Sequence, residues 1–244
     1  MNMERLAYDL HIHSCLSPCG DNESTPNNIL NMARLNGLDV IALTDHNSCK
    51  NCPAIIEARD RMELPILVLP GMELCTAEEI HMVCLFDTLE KAMRFDEYVS
   101  AKTMPVLNRP EKFGEQRILN SMDEPIGVEP RLLVTAADIP VTGVEALMRQ
   151  FGGVAFPAHI DRPSYSILSA LGEIPPECNF QTAEVHDLSS YPALASAHPA
   201  IGRMRIITNS DAHYLWDISE GEQHMSVSQR TPQAILDYLQ SNQS

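Results

Sequence analysis

Short apolar runs alternate with helical periods along most of this chain, and that alternation restricts the fold more than any other feature. Leu6–Ile12, Asp39–Leu43, Ile66–Leu69 and Ile80–Phe86 read as strands, followed by Val154–Phe156, Ala183–Val185 and Arg205–Thr208. Between them lie helical stretches with recognisable ends. Thr25-Pro26 reads as an N-cap with Pro at the first helical position, Ile29, Met32 and Ala33 follow at helical spacing, and Gly37 closes the helix. Pro53–Met62 and a stretch ending near Val99 read as further helices. Val144, Leu147, Met148 and Phe151 mark a helix stopped by Gly152-Gly153, and Thr231-Pro232 opens a last one burying Ile235, Leu236 and Leu239. About seven β/α repeats without a glycine-rich dinucleotide loop predict an α/β fold, a distorted (β/α)7 TIM-like barrel. Residues 102–140 break the rhythm and read as a small insertion or lid on a single domain spanning 1–244.

Composition sets outer limits. With 44% hydrophobic residues among 244, the chain can bury a real core. Its 17 Lys+Arg against 33 Asp+Glu leave a net charge of −16, which opposes sequence-independent grip on long duplex DNA. No stretch is long and apolar enough for a membrane partner, and the amino terminus lacks a basic region followed by an apolar one. Seven cysteines, an odd number, fit a reducing compartment, so a cytoplasmic location is expected.

Potential metal ligands recur where the predicted strands end. The first ends in His11-Ile12-His13, whose alternation turns both imidazoles to one face. The second ends in Thr44-Asp45-His46, the third in Gly71-Met72-Glu73, and the next carries His81. Later strands bring His159, Glu184 and the pair Asp211 and His213. Taken singly, His81 between Ile80 and Met82 reads as a core histidine, and Asp45-His46 as a turn. Agreement across so many strand ends points instead to a metal site at the mouth where barrel enzymes do their chemistry.

The order H-x-H-S, T-D-H, G-x-E with a strand His, A-H and a late S-D-A-H, from Tyr8 to about Tyr214, resembles the PHP (polymerase and histidinol phosphatase) superfamily. That resemblance implies a barrel holding two or three divalent ions and hydrolysing phosphoesters through a metal-bound hydroxide. It implies a first ion on His11, His13, Glu73 and Asp211, and a second on Glu73, His81 and His159. A third would sit on His46 and His213, with Asp21 as the candidate from the Ser17-Pro18-Cys19-Gly20-Asp21 loop. Asp45 is expected to orient a ligating imidazole, while Glu184 occupies an acidic position open to a structural role. Asp45, His159 and His213 form the expected catalytic set. Mixed imidazole and carboxylate ligands suit Zn, Mn or Fe, among which spacing does not choose.

The expected substrate is a small phosphorylated one: a phosphomonoester, a nucleotide, or the end of a short single-stranded nucleic acid. Arg162, three residues after His159, could fork onto a phosphate, with pairing to Asp161 as its other use. His186, two residues past Glu184, could contact substrate or solvent. A chain of this length is expected to stand apart from a polymerase polypeptide. Two rivals remain open. An amidohydrolase-type C–N hydrolase also begins with H-x-H, but none of Lys50, Lys91, Lys102 and Lys112 ends a predicted strand as its bridging lysine would. A non-catalytic module could instead hold a metal or cluster through Cys15, Cys19, Cys49 and Cys52.

Overall fold

The computed structural model of the protein describes residues 3–241. The chain runs β1 (Glu4–Ile12), α1 (Pro26–Leu35), β2 (Val40–Leu43), α2 (Cys52–Arg61), β3 (Leu67–Cys75), β4 (His81–Phe86) and α3 (Leu89–Lys102). A short helix α4 (Pro110–Phe113), strands β5 (Arg117–Leu119) and β6 (Pro125–Val128), α5 (Val141–Phe151) and β7 (Gly153–Pro157) follow. The remainder is α6 (Ile167–Leu171), β8 (Thr182–Glu184), α7 (Tyr191–Ala197), β9 (Arg205–Ile207), β10 (His224–Val227) and α8 (Pro232–Gln240). The helix ends follow their local chemistry. Thr25 and Thr231 accept from the backbone N–H groups of Asn28 and Ala234, and Gly152 ends α5 in the left-handed region at φ 70°.

Strands β1, β2 and β3 run parallel, whereas β4 runs antiparallel to both β3 and β7. The uniform β/α repeat expected from sequence is thus interrupted. Only a short turn joins β3 to β4, too little chain for a parallel crossover. The parallel pair β8–β9 completes the wall. The Ile160 N–H donates to the Glu184 carbonyl at 2.8 Å on one side. On the other, Asn209 Oδ1 accepts the Leu10 N–H at 2.8 Å, and the His13 N–H donates to the Ala212 carbonyl at 2.9 Å. The result is a distorted TIM-like barrel. Strand β10, which the sequence pattern did not reveal, pairs antiparallel with the first half of β1.

The barrel interior is apolar below its mouth. Leu6, Tyr8 and Leu10 of β1 meet Leu69, Leu85 and Phe156 there, and Ile235, Leu236 and Leu239 of α8 seal the end where β1 begins. Ala7 and Ile12 face the outer helical layer instead. Strict alternation would put residue 12 on the same side as 10. The register irregularity between Asp9 and Ile12 breaks it, and so turns His11 and His13 inward at the top of the strand.

Residues 103–140 dock on the loops around the mouth. The Arg117 N–H donates to the Cys15 carbonyl at 3.1 Å, and Asn47 Nδ2 donates to the carbonyls of Leu133 and Thr135 at 2.7 and 2.8 Å. No helix among the described residues is long and apolar enough to cross a membrane.

Phe156 is fully buried inside the barrel. Phe156→Ala is expected to lower the unfolding free energy by about 3–5 kcal/mol. Denaturant titration checks this, and a loss below about 1 kcal/mol would contradict the packing described.

Candidate metal centre

Glu73, 1% exposed, stands at the middle of the mouth. Its Oε1 lies 3.3 Å from His11 Nε2, 2.9 Å from His81 Nδ1 and 3.1 Å from His159 Nε2. Its Oε2 lies 3.4 Å from His13 Nε2 and 2.9 Å from His46 Nδ1. Asp211 Oδ1 adds a second anionic point, 3.3 Å from His11 Nε2 and 3.2 Å from His13 Nε2. His81 joins this group because β4 is antiparallel, which brings the amino end of that strand to the mouth. His159 and Asp211 hold positive φ of 29° and 53°, backbone strain of the kind that collects at functional sites.

Several of these atoms are buried and unsatisfied. His11 Nε2, His13 Nε2, His46 Nδ1, His159 Nδ1, Glu73 Oε2 and Asp211 Oδ1 make no hydrogen bond. His159 Nδ1 is the far nitrogen of its ring, and His159 belongs to none of the converging donor groups, but the other five meet at one point, which would be costly unless something positive joined them. Three groups have ligand atoms within 4.8 Å of one another: His11, His13, Glu73 and Asp211; His46, Glu73 and His81; and His13, His46 and His213. The donor set fits divalent cations. Electrostatics agree. Burial would raise the Glu73 carboxyl, but the imidazoles of His81, His11 and His46 reverse this and hold it well below the usual carboxylate range. Burial, with His213 and His46 nearby, lowers His13, so its ring is neutral and ready to ligate.

Buried partners hold the far nitrogens of these rings. Glu184 accepts from His11 Nδ1 at 3.1 Å, from the His159 N–H at 3.0 Å and from Asn209 Nδ2 at 2.6 Å. His13 Nδ1 donates to Ser17 Oγ at 2.9 Å, and that hydroxyl donates to Asp45 Oδ1 at 2.7 Å. Asp45 therefore reaches His13 only through Ser17, and its other contacts are the Ser14 N–H and hydroxyl, each at 2.7 Å. Ser14, Ser17 and Asn209 were absent from the sequence-based expectations, although the first two adjoin the H-x-H. His213 Nδ1 donates to the Asp211 carbonyl at 2.8 Å.

The outlying candidates divide. Arg162 pairs with Asp211 Oδ2 at 2.7 Å and meets His186 Nδ1 at 3.1 Å, so both line the mouth. Asp161 is occupied elsewhere, accepting from the backbone of His186 and Asp187. Asp21 is not brought to the cluster: its carboxylate accepts the Glu23 N–H at 2.7 Å, closing a turn. The four cysteines are not brought together either. Cys15 faces the Arg117 carbonyl, with burial pushing its thiol up to about 12, and Cys49 faces the Gly71 carbonyl at 3.1 Å. Cys19 alone reaches the cluster's edge, where its thiol interacts with His46 and His213. The surroundings would raise that thiol by desolvation, but the two imidazoles bring it down to about 6. A four-thiolate site is ruled out by this separation.

Fold and donor set together define an α/β barrel with a candidate metal centre at its mouth. Residues 9–124 match the family model of the PHP domain. The 5'-3' exoribonuclease Rnm of Salmonella typhimurium is 35% identical over 36% of this chain and 30% of its own length. The lesion-specific endonuclease PfuEndoQ from Pyrococcus furiosus superposes with TM-score 0.67 at 18% identity, over 97% of this chain and 56% of that one. PsfC from Pseudomonas syringae gives 0.59 at 19% identity, over 100% of this chain and 92% of that one. The chain thus spans under a third of the exoribonuclease and about half of the endonuclease, and the structural likenesses are ones of fold.

Glu184→Gln keeps the side-chain shape but removes the carboxylate behind His11. Metal affinity measured by titration is expected to fall 10–100-fold. Unchanged affinity would contradict the orienting role.

Proposed function

We propose that the protein is a metal-dependent phosphoesterase hydrolysing a small phosphorylated substrate. The observation that carries this reading is the set of unpartnered buried imidazole and carboxylate atoms converging beside Arg162. His11, His13, Glu73 and Asp211 would hold one ion, Glu73 with His81 and His159 a second, and His46 with His213 a third, drawn from zinc, manganese or iron. When bound, such ions polarise a phosphoryl oxygen and lower the pKa of a water from 15.7 to about 7. Everything else falls to the chain's own residues.

Arg162 binds and orients the phosphate. Asp211 fixes one arm of its guanidinium and His186 meets the other, while its remaining donors stay available for phosphoryl oxygens. A cavity of about 580 Å³ lined by Arg162, His186, Asp211, His213 and Tyr214 supports a small substrate. Of the two imidazoles in the expected catalytic set, His213, 23% exposed at its side chain, opens to the cavity, whereas His159, 4% exposed, lies behind it. Asp45 and Glu184, both 1% exposed, act as positioning residues. The ions would reverse the local sign of the field, so a net charge of −16 does not bar a small anion.

Within the substrate class, a nucleotide or short nucleic-acid end has a specific feature in its favour. Tyr214 at the cavity stacks on Trp216 at 4.9 Å, and Trp216 is 73% exposed, which offers a base a π-face. Similarity to an exoribonuclease and an endonuclease supports the same choice. Residues 102–140 act as an insertion walling one side of the mouth of a single domain. Seven free cysteines suit a reducing, cytoplasmic setting. The amidohydrolase alternative would call for a bridging lysine, whereas Lys50 pairs with Glu129, Lys91 with Asp87 and Lys102 with Asp138 rather than with a residue of the cluster.

The test is phosphate release from a panel of phosphomonoesters, nucleotides and short 5'-phosphorylated oligonucleotides, using protein loaded with zinc, manganese or iron. Hydrolysis is expected. Arg162→Ala should lower kcat/KM by about 10–100-fold, the loss of a charged hydrogen bond of about 1.5–3 kcal/mol. Fully loaded protein that leaves every phosphoester intact would overturn the reading.

A further inference from the structure

The three convergent donor groups differ in one respect. Two contain Glu73, while the group of His13, His46 and His213 contains no carboxylate. A dication there would be held by neutral imidazoles alone, with His13 Nε2 already turned toward Glu73 and Asp211. An anionic donor is missing from this corner. The sequence offered Asp21, but its carboxylate closes a turn on Glu23 instead.

What the loop delivers is Cys19. The Ser17 N–H donates to the Ser14 carbonyl at 3.1 Å and the Gly20 N–H to the Ser17 carbonyl at 2.9 Å, winding residues 14–20 into successive turns. The Asp21 N–H then donates to the His213 carbonyl at 2.9 Å, pinning the loop to a ligand-bearing segment. Gly20 is required by this path, because a Cβ there would lie 2.3 Å from the Ser14 carbonyl oxygen. Cys19 lines the same cavity as Asp211 and His213, and the His46 ring lies 5.9 Å from that of His213. The His213 ring is itself fixed, stacked on His13 at 4.2 Å with Nδ1 committed to the Asp211 carbonyl. That leaves Nε2 for a metal.

We propose that the Cys19 thiolate is the anionic ligand of an ion held with His46 and His213, and that it selects a thiophilic metal, zinc before manganese, for this corner of the cluster. A thiolate is a softer donor than the carboxylate expected in this loop, and it discriminates against manganese and magnesium where oxygen donors do not. The corner ion would then differ in kind from those on the Glu73 side. The inference rests on the metal-cluster reading of the site.

The experiment is cobalt substitution. Protein stripped with a chelator is titrated with Co(II) and its near-ultraviolet and visible absorption recorded, alongside ions bound per chain, for wild type, Cys19→Ser and Cys19→Asp. Wild type is expected to develop the near-ultraviolet thiolate-to-cobalt charge-transfer band. Cys19→Ser should lose that band and bind one of its ions at least tenfold more weakly. Cys19→Asp should recover the stoichiometry without the band and shift that ion's preference toward manganese in zinc–manganese competition. Cys19 is exposed, so both variants are expected to keep the wild-type circular dichroism. Cobalt bound by wild type without the band, or a band that survives in Cys19→Ser, overturns the role of Cys19 and leaves the Glu73 cluster standing. Wild type that binds no cobalt overturns the cluster reading itself, and this inference with it.

Discussion

A buried carboxylate surrounded by imidazoles organises the mouth of this barrel. Glu73 is 1% exposed and lies within 3.4 Å of ring nitrogens from His11, His13, His46, His81 and His159. A lone carboxylate at that depth would be strongly destabilising, and it is held ionised there only by the rings around it. Those rings come from four different segments. Their convergence requires the barrel wall to be closed and each strand end to be in register.

Two departures from a regular barrel make that convergence possible. The irregularity in β1 between Asp9 and Ile12 lets Leu10 fill the apolar interior while His11 and His13 face the cluster just above it. The reversal of β4 turns His81 upward from the amino end of its strand, where a parallel strand would have left it at the sealed base. Beneath both, Glu184, Ser17 and the Asp211 carbonyl accept hydrogen bonds from the far nitrogens of His11, His13 and His213. With their rings held in this way, the near nitrogens of His11 and His13 are left unpaired at the cluster.

Much of this was legible in the sequence. The apolar runs and the Thr-Pro and Gly caps located most of the barrel elements, and His or acidic residues at strand ends marked the mouth. What escaped has physical reasons. Spacing alone does not tell which way β4 runs: taken singly, His81 between Ile80 and Met82 reads as a core residue, and it is the family resemblance that places it among the ligands. The loop after His13 carries both Cys19 and Asp21, and hydrogen bonds from Ser14, Ser17 and His213, invisible in sequence, decide which one faces the cluster. Asp45 acts at one remove because Ser17 stands between it and His13. Strand β10 has only an edge pairing with β1 and little apolar alternation to announce it.

The central claim is that Glu73 gathers these imidazoles in order to hold metal. Elemental analysis of protein purified without chelator, as wild type and Glu73→Gln, tests it most directly. The account expects two to three zinc, manganese or iron ions per wild-type chain, and a loss of most of them in a variant whose circular dichroism still reports the folded barrel. A wild-type chain without metal, or a Glu73→Gln chain that retains the full complement, would contradict it.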